Sequence, residues 1–263
     1  NTNHFYYILH IKPYNQFMQF EEINIVNVDF FIDKKKILKN INLKIKKNEK
    51  IAVIGSSGSG KTQLLHMISF FSKPDKGIIS FNEKNFWEIN SSLIKQIRKL
   101  FFFVPQTPPL PIKQSVINAI QAGYINQWSL IKVIFSLFFP IRKKQITSIL
   151  KELKLEDKLY ENIESLSGGE KQCISLARLF AANAKIMIID EPLNSLDLSR
   201  SELVLKLITK YSKINDSTLI SSLHQPLLAK KYFNRIIGMK KGQIIFDLEA
   251  KEINKKKFTE LYS

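Results

Sequence analysis

The chain has 263 residues, of which 44% are hydrophobic and 24% charged, as is ordinary for a globular protein of one large domain or two small ones. Its formal net charge of 40 − 23 = +17 favours a polyanionic neighbour such as nucleic acid or an anionic membrane surface, but the lysines are scattered, so we interpret the excess as general surface enrichment. The single cysteine, Cys173, excludes an internal disulfide and favours a reducing compartment, and the densest apolar run, 133–139, is far shorter than the ~18–20 residues that span a bilayer.

Residues 1–17 are aromatic and polar without a clear period, and they lack the basic start and the cleavage site of a signal peptide. We predict that Met18 is the natural start and that the stretch before it is an appendage that does not belong to the natural chain, so that residues 1–18 precede a folded domain that covers residues 19–263. The alternative is an N-terminal arm that touches a membrane, because aromatic side chains favour the lipid–water interface.

Apolar and polar residues alternate over 22–45, which predicts two antiparallel strands joined by a basic turn at 34–36. The short apolar run 51–54 then predicts a buried parallel strand. This order predicts a small antiparallel β-subdomain beside an α/β core.

The segment after this strand, GSSGSGKT at 55–62, fits the pattern G-x-x-x-x-G-K-[ST] of a phosphate-binding loop, and apolar residues at helical spacing follow it as far as Phe71. Glycines allow backbone N–H groups to converge on a phosphate, and a helix N-terminus adds partial positive charge. Lys61 is therefore predicted to reach the β- and γ-phosphates of a nucleotide, and Thr62 to offer its hydroxyl to Mg²⁺. The predicted nucleotide-binding residues are Gly55, Ser56, Ser57, Gly58, Ser59, Gly60, Lys61 and Thr62.

A change in composition predicts a helical insertion over about 107–165, directly after Gln106, which follows a predicted strand at 100–104. Before that strand, the pattern predicts a strand at 77–81 and a helix at 91–98. Within the insertion, helices are predicted near 115–122, 130–138 and 143–153. An aromatic, apolar face needs cover, which the subdomain's own core or a partner protein would provide. It comprises Trp128, Phe135, Phe138 and Phe139.

Polar residues of three further stretches suit nucleotide chemistry. LSGGE at 166–170 begins a helical run and suits an anion, although a simple helix cap by Ser167 is the alternative. The apolar strand 186–189 ends in Asp190 and Glu191; the first acid suits Mg²⁺ and the second can polarise a water for attack on a γ-phosphate, unless the pair only caps the next helix. The apolar strand 218–223 ends at His224, where ligands bind in open α/β sheets.

The phosphate loop, Gln106, LSGGE, IMIIDE at 186–191, SLD at 195–197 and His224 stand in the order of an ATP-binding cassette (ABC) ATPase, which the chain resembles over residues 19–247. The resemblance implies an α/β fold with a RecA-like P-loop core, an antiparallel β-subdomain and an inserted α-helical subdomain. It also implies ATP and Mg²⁺ as cofactors and a head-to-tail homodimer as the working unit.

By this resemblance, Glu191 is the catalytic base, His224 is a switch residue, and Lys61 and Gln106 act at the γ-phosphate. The residues implied as Mg²⁺ ligands are Thr62, Gln106 and Asp190. Those implied to contact ATP on a second protomer are Ser167, Gly168 and Gly169, with Asp197 at the dimer interface.

The sequence departs from the family pattern at Glu170, where glutamine is usual, and at Cys173, where arginine is common. Ile32 stands where an aromatic residue would stack on adenine. A carboxylate at position 170 would repel phosphates, so these departures bear on nucleotide affinity and rate more than on the fold.

Two further stretches are similar to the ATPase subunit of bacterial phosphonate importers: GY at 123–124 with WSL at 128–130, and SLHQ at 222–225 with the ending at 235–247. This similarity implies a peripheral ATPase on the cytoplasmic face of the inner membrane. It would power a membrane permease that imports phosphonates or related phosphorus oxyanions, fed by a periplasmic or extracellular substrate-binding protein.

Two alternatives stay open. The first is an ATPase subunit of a polar amino-acid or phosphate importer. The second, from another class, is a soluble ABC ATPase that acts on nucleic acid. Such proteins place a long coiled coil between the phosphate loop and LSGGE, and residues 71–166 contain no heptads, so no nucleic-acid partner is expected.

Overall fold

The computed structural model of the chain describes residues 19–136 and 139–262. The predicted appendage at 1–18 and the side chain of Phe138 lie outside the described residues. The described strands are β1 (Glu22–Ile32), β2 (Lys35–Lys46), β3 (Lys50–Ile54), β4 (Lys76–Phe81), β5 (Lys84–Asn85), β6 (Phe101–Val104), β7 (Ile186–Ile189), β8 (Thr218–Leu223), β9 (Arg235–Lys240) and β10 (Gln243–Glu249).

The described α-helices are α1 (Lys61–Ile68), α2 (Ser91–Arg98), α3 (Val116–Gln121), α4 (Leu130–Ser136), α5 (Lys143–Glu152), α6 (Gly168–Ala182), α7 (Leu198–Ile214), α8 (Pro226–Tyr232) and α9 (Lys255–Tyr262). Short 3-10 helices cover Ala122–Gln127, Glu156–Lys158, Ile163–Ser165 and Ala250–Glu252. None of these helices is long and apolar enough to cross a lipid bilayer.

The strands form two sheets. A four-stranded antiparallel sheet has the order β2-β1-β4-β5, and a six-stranded sheet has the order β10-β9-β3-β8-β7-β6. In the larger sheet β3 lies parallel to both β8 and β9, and β7 lies parallel to both β6 and β8. The predicted combination of an antiparallel β-subdomain with a parallel α/β core is therefore confirmed.

Each central strand of the larger sheet contributes to two cores. Ile51 and Val53 of β3 pack in a cluster shared with the antiparallel sheet, whereas Ala52 and Ile54 pack in a cluster shared with the helical insertion. This follows from the two-residue side-chain period of a strand, since a strand that is buried on both faces needs apolar residues at every position. All four side chains are fully buried.

Helix α1 is shorter than the apolar spacing predicts. It ends at Ile68, because Phe70 adopts a left-handed backbone (φ 56°) and turns its ring into the core, where it stacks on Phe86 with ring centroids 3.8 Å apart. Phe71, predicted to continue the helix, lies beyond it and is 67% exposed.

The helical insertion is anchored by Gln121. Its buried side chain donates a hydrogen bond to Ser136 O (2.7 Å) and accepts one from Ile141 N (2.8 Å), which fixes α4 and the turn after it to α3. Trp128 is half-buried against Tyr124, but Phe135 and Phe139 are each more than half exposed. The described part of the subdomain therefore does not cover these two rings. This differs from the expectation that the subdomain's own core covers the aromatic face.

Candidate functional site

The phosphate loop joins β3 to α1 at the carboxyl edge of the larger sheet. Two of its glycines are required sterically: a Cβ on Gly55 would lie 2.3 Å from Met239 O, and Gly60 has φ 103°, which side chains rarely tolerate. Within the described chain, no side chain caps the start of α1. The first-turn N–H groups of this eight-residue helix are thus available to an anion.

Gly242, in the turn between β9 and β10, supports the loop from outside. Its N–H donates to Ser59 O (2.9 Å), and its carbonyl accepts from Lys39 N of β2 (2.8 Å). A Cβ at this position would lie 2.1 Å from Ile37 O. The sequence pattern does not reveal the contact of this turn with the phosphate loop, because Gly242 and Ser59 are far apart along the chain.

Lys61 is 4% exposed and folds back over the loop. Its Nζ donates to Gly55 O (3.0 Å) and Ser56 O (3.2 Å) and lies 3.6 Å from Glu191 Oε1. Burial lowers the pKa of Lys61, and the nearby carboxylates of Glu191 and Asp190 oppose that shift. The ammonium group therefore lies inside the loop, where a bound phosphate would offset its desolvation.

Asp190 lies at the end of β7, where its backbone N–H bonds to Val104 O of β6 (2.8 Å). Its two carboxylate oxygens accept from Thr62 Oγ1 (2.8 Å) and from Ser222 Oγ (2.5 Å). The same Ser222 oxygen accepts from Glu191 N (2.8 Å), so one buried hydroxyl holds both acidic residues. The sequence interpretation assigned Ser222 no role at this site; a serine in a strand as buried as β8 was the available signal.

Glu191 has a left-handed backbone (φ 48°), which is rare for a residue with a side chain and is typical of functional turns. Its Oε1 lies 2.5 Å from His224 Nε2, and its Oε2 accepts from Asn194 Nδ2 (2.7 Å). The carboxylate is 10% exposed, whereas His224 is 39% exposed. The structure thus brings Glu191 and His224 together, and it adds Asn194, to which the sequence analysis assigned no role.

The donor set suits Mg²⁺. Thr62 Oγ1 and Asp190 Oδ2 are hard oxygen ligands 2.8 Å apart at the mouth of the phosphate loop. Among residues 19–136 and 139–262, no cluster of three or more His, Cys, Asp or Glu side chains could hold a metal alone. This fits an ion that takes most of its ligands from water and nucleotide phosphates.

Gln106 lies just after β6, next to the strand that carries Asp190, and is exposed. In the described structure its side chain makes no hydrogen bond to the residues around the phosphate loop. The structure therefore gathers Lys61, Thr62, Asp190, Glu191 and His224 and leaves Gln106 at the same sheet edge without a hydrogen bond to them.

The LSGGE segment begins α6. Ser167 caps the helix in a reciprocal arrangement with Glu170: Oγ accepts from Glu170 N (3.3 Å), while Glu170 Oε2 accepts from Ser167 N (2.8 Å) and Ser167 Oγ (2.7 Å). Gly169 packs so closely that a Cβ would lie 2.9 Å from Ser195 O, and Asp197 caps α7 by accepting from Arg200 N (2.8 Å). Ser167, Gly168 and Asp197 are exposed, and no hydrogen bond or ion pair of the described chain links them to the phosphate loop.

A phosphate loop, a buried lysine and two acids at adjacent strand ends define a P-loop nucleotide-binding protein whose site can hydrolyse a phosphoanhydride. The family model described as "ABC transporter" matches residues 38–194. The chain is 35% identical to the phosphonates import ATP-binding protein PhnC 2 of Albidiferax ferrireducens over 86% of this chain and 82% of that protein. It is 34% identical to the phosphonates import ATP-binding protein PhnC 1 of Pseudomonas aeruginosa, over 88% and 86%.

Among solved structures, the dimeric post-hydrolysis state of the ATP-binding cassette MJ0796 bound to ADP and Pi is similar, with a TM-score of 0.75 and 25% identity over 88% of this chain and all of that one. CbiO1 of Clostridium perfringens, part of the ABC transporter complex cbiONQ, shares the fold with a TM-score of 0.73 and 24% identity over 92% of each chain. The chain belongs to the ABC transporter family of ATP-binding proteins and is an ABC-type ATPase, as its motif order implied.

Proposed function

We propose that this chain is the ATP-hydrolysing subunit of a membrane importer for phosphonates or related phosphorus oxyanions. The observation that carries the ATPase part is the convergence of Lys61 and His224 on the Glu191 carboxylate, at 3.6 Å and 2.5 Å from Oε1, beside the Thr62–Asp190 pair. The substrate class rests on the relatives, which are named phosphonates import ATP-binding proteins and which the chain matches over most of their length.

In this proposal the loop from Gly55 to Thr62 binds the ATP phosphates through its N–H groups and Lys61. Thr62, Asp190 and Gln106 hold Mg²⁺, which when bound neutralises charge on the β- and γ-phosphates. Glu191 accepts a proton from the attacking water, and His224 fixes the carboxylate through its Oε1 contact. Gln106, exposed in the described structure, turns toward the γ-phosphate once nucleotide is present.

The exposed edge of α6 implies a second protomer. Ser167 and Gly168 present an exposed helix start that makes no hydrogen bond to the chain's own phosphate loop in the described structure, which supports binding of a phosphate on a partner copy. Asp197 directly follows Ser195 and Leu196, which pack on Gly169, and this supports a position for Asp197 at the same homodimer interface. The MJ0796 cassette, which is dimeric, supports this arrangement by its likeness.

The permease would dock near Gln106. Phe71 is 67% exposed and meets the rings of Phe103 (5.3 Å) and His66 (6.0 Å) at the end of α1, which leaves an apolar surface beside the site. A permease loop on this surface would couple ATP binding to membrane helices, with a substrate-binding protein on the other side. The chain would then work as a peripheral protein on the cytoplasmic face of the membrane.

The test of the ATPase part is the hydrolysis rate per subunit against protein concentration, for the wild type, Glu191→Gln and Lys61→Ala. We expect a rate that rises with concentration in the wild type, ATP binding without turnover in Glu191→Gln, and no ATP binding in Lys61→Ala. Turnover of the wild-type order in Glu191→Gln would overturn the role of the base.

The substrate class has a separate test, namely growth of a strain lacking this gene on a phosphonate as the only phosphorus source. Wild-type protein should restore growth and Glu191→Gln should not. Restored uptake of inorganic phosphate or of polar amino acids, with no effect on phosphonate, would favour the alternative importers and overturn the phosphonate assignment.

A further inference from the structure

An apolar tip projects from the helical insertion. Five large side chains on α4 and the turn after it are between 53% and 81% exposed: Leu130, Ile131, Ile134, Phe135 and Phe139. The four on α4 are spaced i, i+4 and i+1, i+5, so they share one side of the helix. Phe135 and Phe139 stack on each other with ring centroids 4.9 Å apart, and together the five form one surface.

The half-buried Trp128 and several basic side chains border this apolar tip. Trp128 and Tyr124 stack with ring centroids 5.7 Å apart, and cations lie over both rings: Lys132 Nζ 5.5 Å from the Trp128 centroid, and the Arg142 guanidinium 5.3 Å from that of Tyr124. Lys143 and Lys144 follow directly and are exposed. Tyr124 is 7% exposed and forms the core behind the half-buried Trp128, whereas the long basic side chains can place an apolar stem in lipid and a charged end in water.

The charge of the region has one sign. No aspartate or glutamate occurs between Glu88 and Glu152, a stretch that contains the entire insertion up to the end of α5 and carries only basic charges. The carboxylate of Glu152 accepts hydrogen bonds from Lys210 Nζ (2.6 Å) and Tyr211 Oη (3.3 Å) of α7. The basic surface around the tip therefore complements a partner with anionic groups. The contiguous aliphatic and aromatic side chains at its centre require that the same partner also offer an apolar region.

We propose that the apolar tip, bordered by Lys132, Arg142, Lys143 and Lys144, docks directly on an anionic lipid surface, with its apolar side chains below the headgroups and its cations among the phosphates. This contact rests on the proposed function only in that an importer's ATPase works beside a membrane. It is distinct from the permease surface around Phe71 and would orient the helical insertion against the bilayer.

The test is flotation of the full chain with vesicles of phosphatidylcholine alone and of equal parts phosphatidylcholine and phosphatidylglycerol. The variants are Ile131→Glu in the tip, at a side chain 81% exposed, and the matched control Ile214→Glu at the end of α7, 63% exposed. ATP binding is measured on the same samples, since neither residue touches the phosphate loop. Tryptophan emission, recorded in a Trp87→Phe background because the chain has a second tryptophan, reports whether the indole of Trp128 enters lipid.

We expect the wild type to bind the anionic vesicles at least tenfold more tightly than the neutral ones, with a blue shift of emission, and to lose affinity as salt rises. Ile131→Glu should lose at least tenfold in affinity, whereas Ile214→Glu should behave like the wild type. Equal binding of both variants, or no binding by a wild type that still binds ATP, would overturn the lipid contact alone. Protection of the tip by permease without lipid would reassign it to a protein partner, and loss of ATP binding in the wild type would count against the proposed function instead.

Discussion

The side-chain amide of Asn194 donates a hydrogen bond to Glu191 Oε2 across 2.7 Å, within the turn that follows β7. Because His224 Nε2 lies 2.5 Å from the other carboxylate oxygen, each oxygen of Glu191 has its own partner. Two fixed partners hold the carboxylate in one orientation beside Lys61. Asn194 thus positions the proposed base without touching the phosphate loop.

We expect Asn194→Ala to lower kcat for ATP about tenfold and to leave KM nearly unchanged. A hydrogen bond to a charged group contributes ~1.5–3 kcal/mol, and ~1.4 kcal/mol in a barrier changes a rate tenfold. Steady-state ATPase kinetics measure both constants. Asn215→Ala, at the other end of α7 from Asp197, is the control and should match the wild type. A raised KM with normal kcat would show that Asn194 acts in ATP binding instead.

Ser222 and Ser221 are adjacent, fully buried serines of β8 with different partners. Ser222 Oγ bonds both Asp190 Oδ1 and Glu191 N, whereas Ser221 Oγ makes one long bond to Ser222 O (3.3 Å). Ser222→Ala leaves a buried carboxylate oxygen and a buried N–H unpaired, so we expect it to lower the free energy of unfolding by ~1–3 kcal/mol. It should also raise the Mg²⁺ concentration that half-saturates the ATPase.

Ser221→Ala should change both quantities little, since it removes only the weaker bond. Urea unfolding measures the free energy of unfolding of both variants, and a Mg²⁺ titration of the ATPase rate measures the Mg²⁺ concentration that half-saturates each. Equal effects of the two substitutions would mean that burial in β8, rather than the bonds to the acidic residues, explains the loss.

Cys173 is 3% exposed in α6, and burial raises the pKa of its thiol to about 11. The thiolate is the reactive form, so at neutral pH the native protein should leave a thiol reagent almost unreacted. In denaturant the same cysteine should react fully and fast. Absorbance of the released thiol anion measures both, and rapid reaction of the native chain would show that this part of α6 opens locally.

The sequence was sufficient to predict an element of the fold where the apolar pattern of that element is clear within one short segment. The strands Ile186–Ile189 and Thr218–Leu223 and the helix Ser91–Arg98 have the predicted bounds. An uninterrupted apolar run marks the first strand, and a clear amphipathic period marks the helix. Helices α7, α8 and α9 were not predicted, although the apolar residues of α7 recur at helical spacing. The helix after the phosphate loop was predicted too long because the turn at Phe70 depends on its packing against Phe86.

Within the site, the residues that a motif names were predictable, and those that support them were not. Lys61, Thr62, Asp190, Glu191 and His224 each have a place in a motif. Ser222 and Gly242 act by contacts with Asp190 and Ser59, which are distant in sequence and adjacent only after folding. Asn194 is close in sequence, but its role depends on the left-handed turn at Glu191.

The carboxylate of Glu170 accepts both the N–H and the hydroxyl of Ser167, the residue proposed to contact ATP of a second protomer. These hydrogen bonds lower the pKa of Glu170, so the group is ionised at neutral pH. The stabilisation that the ionised Glu170 gives the folded chain is fully present above the pKa that this carboxyl has in the unfolded chain. It is lost as the pH falls through the lower pKa that the carboxyl has in the folded chain. In the closed homodimer the negative charge of Glu170 would repel the ATP phosphates of the second protomer, and its carboxylate would compete with them for the Ser167 hydroxyl.

We therefore expect Glu170→Gln, introduced into the non-hydrolysing Glu191→Gln chain, to dimerise with ATP at a protein concentration several-fold lower. The amide still accepts one bond from Ser167, so the helix cap should weaken by less than ~1 kcal/mol. Glu164→Gln is the matched control, because it removes the same charge from an exposed side chain near the helix start without touching Ser167. Light scattering across protein concentrations, with and without ATP, measures the effect. An equal gain in both variants would assign it to net charge, and no gain in either would mean that Glu170 does not limit closure.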